Sequence, residues 1–497
     1  MQKKRIRGVM IAVISVLLVT MTTSGCALVS VNPDKDKQQV IAEIDGQPIY
    51  KEEFNNYEAY YDIYYTANGN NMPTGTKLTE FKKDILDNLV QVDAMTAQAK
   101  KDKLTINEAE AQKQAETMVE SIKKEAGSKY ESILAKYNTN NDSFVSFMKT
   151  FTVNNAYANE CNTKHMDYLK AHPEAELDQV VGKVGGEDVK RGTYNYYYIN
   201  EEMTAYSTTG KGMQTDKETQ KITNTTIFNT IAENKALIKY CTENKIEIPK
   251  ADIDAALKTK QSTIKMMMQT DEMLNQYLEN YFLTKEKFEE YQKEDAKGMA
   301  AGQAIQAKLV EEAKVSDSDL QKYFNENKDS YSEAKVSAEH ILTEDEALSK
   351  EIYEKAKDAK TKEDFEKVMN AYKSNGKVKE ATDLGSFNKA KMVKEFSDAA
   401  FGMEKNTVSK PVKTQFGYHV IFVYDKNEGQ VPSINDKKDE ITKIVKDQKG
   451  QEEYSKLKEK RVKKEKIEIY DIKSPVENYM NQLKSELNIK VYDKKIK

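Results

Sequence analysis

A repeated segment constrains the fold of this 497-residue chain more than any other feature. The stretch QVIAEIDGQPIYKEEFNNY begins at Gln39, and it aligns without a gap to QVVGKVGGEDVKRGTYNYY, which begins at Gln179. Each copy opens with alternating apolar residues, continues through an Asp-Gly or Gly-Gly turn, and leads into a helical pattern. Each copy therefore predicts a short β-hairpin that feeds a helix. We expect two related, mainly helical modules at 39–178 and 179–333.

The N-terminus has the three parts of a secretion signal. A basic segment, MQKKRIRG, precedes the apolar run VMIAVISVLLVTM, and small residues follow just before Cys26. The apolar run is short for a membrane span. Ser24-Gly25-Cys26 resembles the bacterial lipobox, and this resemblance implies a signal peptide at 1–25, a lipid anchor on Cys26 and a polar tether at 26–38. Simple secretion is the alternative.

Composition excludes some classes of partner and cofactor. Lys and Arg number 77 and Asp and Glu number 81, so the near-neutral net charge of −4 predicts no nucleic-acid partner. Cys161 and Cys241 have no C-x-x-C spacing and no ligand-like histidine nearby, so we expect neither a metal nor another cofactor. The two cysteines form either one disulfide or two buried thiols. A homo-oligomer is left open.

A methionine-rich stretch follows the second repeat. STIKMMMQTDEMLNQYLENYFL, from Ser262, predicts a helix with six apolar residues near one face: Ile264, Met267, Met268, Leu274, Leu278 and Phe282. Methionine and aromatic side chains adapt to apolar partners of many shapes. The face is therefore either part of the core or a surface that binds other chains.

The two repeat openings resemble the N-terminal chaperone region of extracytoplasmic foldases of the SurA and PrsA type. That resemblance implies a helical region that binds unfolded or newly secreted polypeptides. The alternative is an unrelated small sheet capped by helices.

Four short motifs occur in order near the C-terminus. They are KVSAEHIL, DLGSF, KMVKEF and TQFGYHVIFV. Their order and spacing resemble the parvulin family of peptidyl-prolyl cis/trans isomerases over 334–427. The resemblance implies a domain with a small antiparallel sheet, so the predicted fold class is α+β multidomain, and it implies isomerisation of X-Pro peptide bonds.

The parvulin resemblance also implies the site residues. It sets His340 and His419 on neighbouring strands, where two neutral imidazoles can satisfy each other's hydrogen bonds. The pair is either purely structural or also polarises the adjacent site. The implied proline pocket and its rim are Leu384, Met392, Phe396, Thr414 and Phe416.

Asn375 departs from the family pattern. Parvulins hold a cysteine or an aspartate at this place beside the substrate carbonyl, and asparagine cannot carry the negative charge. Glu380 or Asp383 could lie nearer instead. The leading interpretation is a lipid-anchored foldase with isomerase activity, the alternative is a holdase whose parvulin-like domain is weak or inactive, and a solute-binding lipoprotein is disfavoured.

The C-terminal segment, 428–497, is predicted to be helical, and it is very basic at KLKEKRVKKEK. Ser474, Pro475 and Glu477 form a helix-start signature, and the final NIKVYD repeats the pattern of KIEIYD a little earlier. In the resembled foldases this segment folds back onto the chaperone region, and we expect the same here. A solvated helical tail is the alternative.

Overall fold

The computed structural model describes residues 33–213, 216–430 and 432–496. Cys26 and the rest of the signal segment lie outside the described residues. The fold is mostly helical with small antiparallel sheets, which confirms the predicted α+β class.

The described residues form helices and strands with the following bounds. The helices are α1 Pro33–Lys37, α2 Lys51–Ala67, α3 Thr76–Lys101, α4 Glu108–Ala126, α5 Tyr130–Lys136, α6 Asn141–Ala171, α7 Glu174–Leu177, α8 Arg191–Thr209, α9 Lys217–Glu243, α10 Lys250–Met267, α11 Asp271–Glu279, α12 Lys285–Glu312, α13 Asp317–Glu326, α14 Lys328–Tyr331, α15 Glu346–Ala356, α16 Lys362–Tyr372, α17 Lys394–Gly402, α18 Lys438–Val462 and α19 Pro475–Glu486. The strands are β1 Val40–Ile44, β2 Gln47–Tyr50, β3 Val180–Val184, β4 Glu187–Lys190, β5 Lys335–Thr343, β6 Val378–Phe387, β7 Thr407–Val408, β8 Val412–Thr414, β9 Gly417–Asn427, β10 Ile467–Ile469 and β11 Lys490–Val491.

Each repeat folds as the predicted hairpin and helix. In the first, β1 and β2 pair around Asp45 and Gly46, whose φ angles of 52° and 81° are those of a hairpin turn that favours Asp-Gly. In the second, β3 and β4 pair around two glycines that also have positive φ. A helix, α2 or α8, follows each hairpin directly.

The repeats share an ion pair as well as a backbone pattern. Lys51 lies 2.7 Å from Asp36 in the first, and Arg191 lies 3.0 Å from Glu176 at the matching place in the second. The N–H of Lys51 and that of Arg191 each donate, over 2.8 Å, to the carbonyl of the glutamine that opens the repeat. The two modules are therefore alike in side-chain chemistry as well as in chain path.

The C-terminal segment adds one strand to the sheet of each repeat. β10 pairs with β3, and β11 pairs with β1, both antiparallel, so each sheet has three strands. Tyr470 N–H donates to Val181 O over 3.0 Å, and Tyr492 N–H donates to Ile41 O over 2.9 Å. The similarity between KIEIYD and NIKVYD thus corresponds to two strands with equivalent partners.

The methionine-rich stretch is two helices, and the prediction of a single helix is wrong. Helix α10 ends at Met267, and Thr270 caps α11 by accepting a hydrogen bond from the N–H of Met273 over 3.2 Å. A threonine side chain that caps the next helix competes with continuation of the first. The six apolar residues still pack in one cluster.

Contacts divide the chain into two units. The first holds the described part of Met1–Phe228 together with Ser262–Gln292 and Lys466–Lys497, and the second holds Asn229–Gln261 and Lys293–Glu465. Cys161 belongs to the first unit and Cys241 to the second, and both are buried free thiols.

Within the second unit, three helices approach closely at glycines. A Cβ atom at Gly298 of α12 would lie 2.7 Å from the Cβ of Asn234 in α9. A Cβ atom at Gly450 of α18 would lie 2.8 Å from the backbone N of Val310 in α12. These helix pairs depend on residues without side chains at the points of contact.

The second unit also contains the parvulin-like sheet. Its strand order is β6-β5-β9-β7, and β8 pairs with β9. One face of the sheet packs on α15 and α16, with Ile352 and Phe365 in the contact cluster. The other face packs on α17 through Phe396. Because both faces are covered, the central strands β5 and β9 are buried along most of their middle residues.

Candidate active site

Strands β5 and β9 bring the two predicted histidines together. Leu342 lies opposite His419 in the antiparallel register, and His340, two residues away on β5, shares that face of the sheet. The Nδ1 atoms of His340 and His419 are 3.0 Å apart, within hydrogen-bond distance. Their rings are nearly parallel, with centroids 5.2 Å apart. Two of the chain's four histidines therefore form one pair at this site.

Thr414 extends the pair into a short polar network. The Nε2 atom of His419 lies 2.9 Å from Thr414 Oγ1, and that oxygen also accepts the N–H of Phe416 over 3.1 Å. The turn at this place needs Gly417, because its φ is 134° and a Cβ there would lie 2.5 Å from the carbonyl oxygen of Thr343. The F-G-Y-H motif is thus a tight turn that orients Thr414.

Burial keeps both imidazoles neutral near pH 7. It lowers the pKa of His340 from 6.5 to about 4. It also lowers the pKa of His419 to about 4, and the neighbouring His340 contributes in the same direction. Each ring therefore has one donor and one acceptor nitrogen at neutral pH.

An apolar group of side chains lies against the histidines. Both rings lie nearly perpendicular to the ring of Phe396, at centroid distances of 5.7 Å for His340 and 5.1 Å for His419. Phe396 is buried, while Leu384 and Met392 are half-buried and pack on the same cluster. Partial exposure of these two side chains leaves apolar surface accessible beside the polar network.

The predicted rim residues differ in exposure. Thr414 is buried and carries the network described above, whereas Phe416 is 52% exposed. Phe416 is linked to the network through its N–H, and its ring is open to solvent.

Asn375 lies in the turn between α16 and β6. Its side-chain oxygen accepts the N–H of Lys377 over 3.0 Å, and its carbonyl accepts the N–H of Val378 over 2.9 Å. In the described part of the chain no hydrogen bond joins Asn375 to either histidine. The Asn375 side chain therefore stabilises the turn in which it lies.

The sequence offers two carboxylates, Glu380 and Asp383, in place of the charge that Asn375 lacks. Asp383 accepts hydrogen bonds from Lys362 over 2.6 Å and from Tyr424 over 2.9 Å. Glu380 instead lies near the histidine pair, with Oε1 3.7 Å from Nε2 of His340. Of the two, Glu380 is the carboxylate at the site.

Sequence reasoning missed one unusual group, Glu339. Its side chain is fully buried, and neither carboxylate oxygen accepts a hydrogen bond of normal geometry. The nearest cation is Lys362, 3.8 Å away. A glutamate directly before His340 in the predicted strand is the signal that could have found it.

Two kinds of feature are absent from the described ranges. In residues 33–213, 216–430 and 432–496, no His, Cys, Asp and Glu side chains cluster as a metal site. None of the helices described there has the length and apolar content to cross a bilayer.

Comparison with known families assigns a class to both parts of the chain. A SurA-like N-terminal domain model matches residues 1–155 and 166–299, which hold one repeat each and together exceed half of the chain. A PPIC-type PPIASE domain model matches residues 315–439, which include the histidine pair. The protein is therefore a peptidyl-prolyl isomerase of the parvulin type with a SurA-like region.

Individual relatives identify a narrower family within this class of isomerases. The foldase protein PrsA of Clostridium botulinum strain Loch Maree is 30% identical over 320 residues, which cover 61% of this chain and 92% of the relative. The foldase protein PrsA of Halalkalibacterium halodurans is 35% identical over 186 residues, or 37% of this chain and 53% of the relative. The chain belongs to the family of PrsA foldases.

A solved structure of the same family name has a low overall similarity. The crystal structure of a peptidylprolyl isomerase (PrsA) from Bacillus anthracis matches with 22% identity and a TM-score of 0.25, over 48% of this chain and 96% of that one.

Proposed function

We propose that this protein is a membrane-anchored, extracytoplasmic foldase that binds unfolded secreted polypeptides and isomerises their X-Pro bonds. The observation that carries the proposal is the neutral His340–His419 pair, linked to Thr414 and packed on Phe396 beside half-exposed apolar side chains. This arrangement combines an apolar site for a proline ring with a fixed polar wall.

The chemistry requires no covalent step. Rotation about an X-Pro bond faces a barrier of ~18–20 kcal/mol because the planar amide loses resonance when it twists. A site accelerates rotation if it binds the twisted amide better than either planar form. In the proposal Leu384, Met392 and Phe396 hold the proline ring and remove water from the amide, and Phe416 covers the rim.

The histidines act in this proposal as fixed, uncharged groups. Since their pKa values are lowered to about 4, activity should not follow the titration of an ordinary histidine near pH 6.5. Asn375 contributes through the turn that it stabilises. No cofactor is needed.

Binding of unfolded chains is assigned to the two repeat modules. The methionine-rich helices of the second module carry apolar side chains that are not covered, with Met266 82% and Met273 46% exposed. Flexible thioethers suit contact with apolar segments of many shapes. Other side chains of the same stretch, such as Ile264 and Leu274, are buried in the core. The stretch therefore contributes some residues to the core and others to the exposed surface.

The anchor and the location rest on the sequence. The apolar run and Ser24-Gly25-Cys26 support lipidation of Cys26, because two or more acyl chains hold a protein firmly at a bilayer surface. Location on the extracytoplasmic face follows from the same signal.

A peptide isomerisation assay on the chain from Cys26 to Lys497 tests the proposal. Met392→Ala should lower kcat/KM roughly tenfold, which corresponds to about 1.4 kcal/mol of lost transition-state stabilisation. The matched control is Met299→Ala, which removes a side chain of the same type, 42% exposed, from helix α12. Equal activity in the two variants contradicts the pocket assignment.

The second candidate function is a holdase with weak turnover. It is favoured by the engagement of Asn375 with Lys377, since no charge is supplied from the place where parvulins hold one. Suppression of client aggregation without acceleration of a proline-limited refolding reaction would select this candidate.

A further inference from the structure

We infer that Glu380 is a positioning residue of the isomerase site, and that its carboxylate sets the direction of the hydrogen-bond chain from His340 through His419 to Thr414. The inference deepens the proposed function and rests on it for its catalytic consequence. Its structural part, the position of the protons on the two imidazoles, can be tested independently.

The register of β6 puts Glu380 beside the histidine pair. Glu380 lies opposite Leu342 on β5, and His340 is two residues from Leu342, so the three side chains share one face of the sheet. The Oε1 atom is 3.7 Å from Nε2 of His340, slightly beyond a hydrogen bond. The Glu380 side chain is 51% exposed, so it is not fixed by tight packing.

Glu380 can supply the hydrogen-bond partner that the Nε2 atom of His340 lacks. This atom is buried and has no hydrogen-bond partner. A buried polar atom left unsatisfied costs roughly 1–3 kcal/mol. Among the described residues, no charged group other than Glu380 lies within ion-pair distance of His340.

The two imidazoles can share their central proton in two directions. In the first, His419 donates from Nδ1, His340 carries its proton on Nε2, and Thr414 donates its hydroxyl proton to Nε2 of His419. In the second, His340 donates from Nδ1, its Nε2 presents a lone pair, and His419 donates to Thr414.

Glu380 favours the first direction. An Nε2–H on His340 is attracted by the carboxylate, whereas an Nε2 lone pair facing carboxylate oxygens is repelled. The negative charge of Glu380 therefore selects the state in which His340 is protonated on Nε2 and His419 on Nδ1.

The selected direction has a consequence at the pocket rim. It commits the hydroxyl proton of Thr414 to His419, while Oγ1 accepts the N–H of Phe416. In the opposite direction the hydroxyl proton would be free to hydrogen-bond a substrate carbonyl oxygen, which stabilises the planar amide. By withholding that donor, Glu380 lowers the barrier to twist.

Nitrogen NMR of histidine side chains tests the inference on the chain from Cys26 to Lys497. The nitrogen shifts distinguish the two neutral tautomers, and only four histidines need assignment. We expect Nε2–H on His340 and Nδ1–H on His419 in the natural protein at pH 7. Glu380→Lys, which puts a donor beside Nε2, should reverse both tautomers, and Glu380→Ala should give a mixture.

Activity should follow the tautomers. Glu380→Lys should lower kcat/KM roughly tenfold, or about 1.4 kcal/mol, through kcat rather than KM. Glu380→Asp, which keeps the carboxylate, should lose less activity than Glu380→Lys. The control is Glu404→Gln, which changes an exposed carboxylate in the loop after α17. Asn375→Asp should leave the tautomers as they are, because that side chain is held by Lys377.

Three results overturn the inference. They are unchanged tautomers in both Glu380→Ala and Glu380→Lys, loss of activity in Glu380→Lys without any tautomer change, and tautomers in the natural protein opposite to those expected. Absence of isomerisation by the natural protein would instead contradict the proposed catalytic function, and the tautomer measurement would still decide the role of Glu380.

Discussion

At the scale of the residue, Glu339 combines full burial with a carboxyl group that accepts no regular hydrogen bond. Burial raises its pKa from 4.5 to about 7, and repulsion from Glu366 adds to the effect, while Lys362 opposes it. The folded protein therefore retains a proton on Glu339 at pH values where the unfolded chain has released it.

This pKa shift predicts a pH-dependent effect of Glu339→Gln. A raised carboxyl pKa means that stability falls as the pH rises from about 4.5 to about 7, and the full penalty applies above that window. Glutamine cannot ionise, so the variant should be more stable than the natural protein at pH 8, by roughly 1–3 kcal/mol, and about equal to it at pH 5.

Hydrogen exchange of β5 amides measures this difference when both proteins are compared at each pH. Glu404→Gln serves again as the surface control. A stability difference that is the same at pH 5 and pH 8 would show that ionisation of Glu339 is not its cause.

At the scale of the element, the helices of the second unit depend on glycine contacts. Val310 leaves no room for a side chain at position 450, since a Cβ there would meet its Cγ2, its Cα and its backbone N. Backbone cannot move aside as a flexible side chain can, so the two helices would have to separate.

Gly450→Ala should therefore lower the free energy of unfolding by roughly 1–3 kcal/mol, despite the higher helix propensity of alanine. Gly402→Ala at the end of α17 is the matched control, because no atom lies within 4 Å of a Cβ built there. Thermal unfolding followed by circular dichroism compares them. A melting temperature that drops equally in both variants would contradict the packing explanation.

At the scale of the whole molecule, the C-terminal segment contributes a strand to each of the two repeats in the first unit. β10 completes the sheet of the second repeat, and β11 completes that of the first. Leu483 and Leu487 of the same segment are buried in the core of the first repeat. The stability of each repeat thus depends on residues far away in the chain.

Two truncations should separate these contributions. A chain that ends at Ser474 keeps β10 and the backbone carbonyl of Lys473, which accepts from Arg191, but it loses β11 and α19. Its β1 amides should exchange at least about tenfold faster than in the natural protein, with β3 nearly unchanged, because each lost strand hydrogen bond contributes roughly 0.5–1.5 kcal/mol. A chain that ends at Glu465 should lose protection in both strands.

Hydrogen exchange with mass spectrometry resolves the two repeats in one experiment. Equal loss of protection in β1 and β3 in the chain that ends at Ser474 would mean that the two sheets are not stabilised separately.

The elements that the sequence predicted are those set by local chemistry. The Asp45-Gly46 and Gly185-Gly186 turns determine hairpins because few residues accept positive φ at two successive positions. The signature at Ser474 determines the start of α19 in the same way. Along the methionine-rich stretch, apolar spacing identified the buried face but not the break at Thr270, because the cap competes with a continuous helix over only a few residues.

The sequence by itself determined the repeats, the α+β class and the two histidine strands, since turn residues, apolar periodicity and motif order act over short distances along the chain. Only the tertiary structure decided that Glu380 rather than Asp383 lies beside His340, and that Glu339 is buried next to Lys362. It also decided which strand completes each repeat. These outcomes depend on register and on packing between residues distant in sequence, where a shift of one residue turns a side chain to the other face of a sheet.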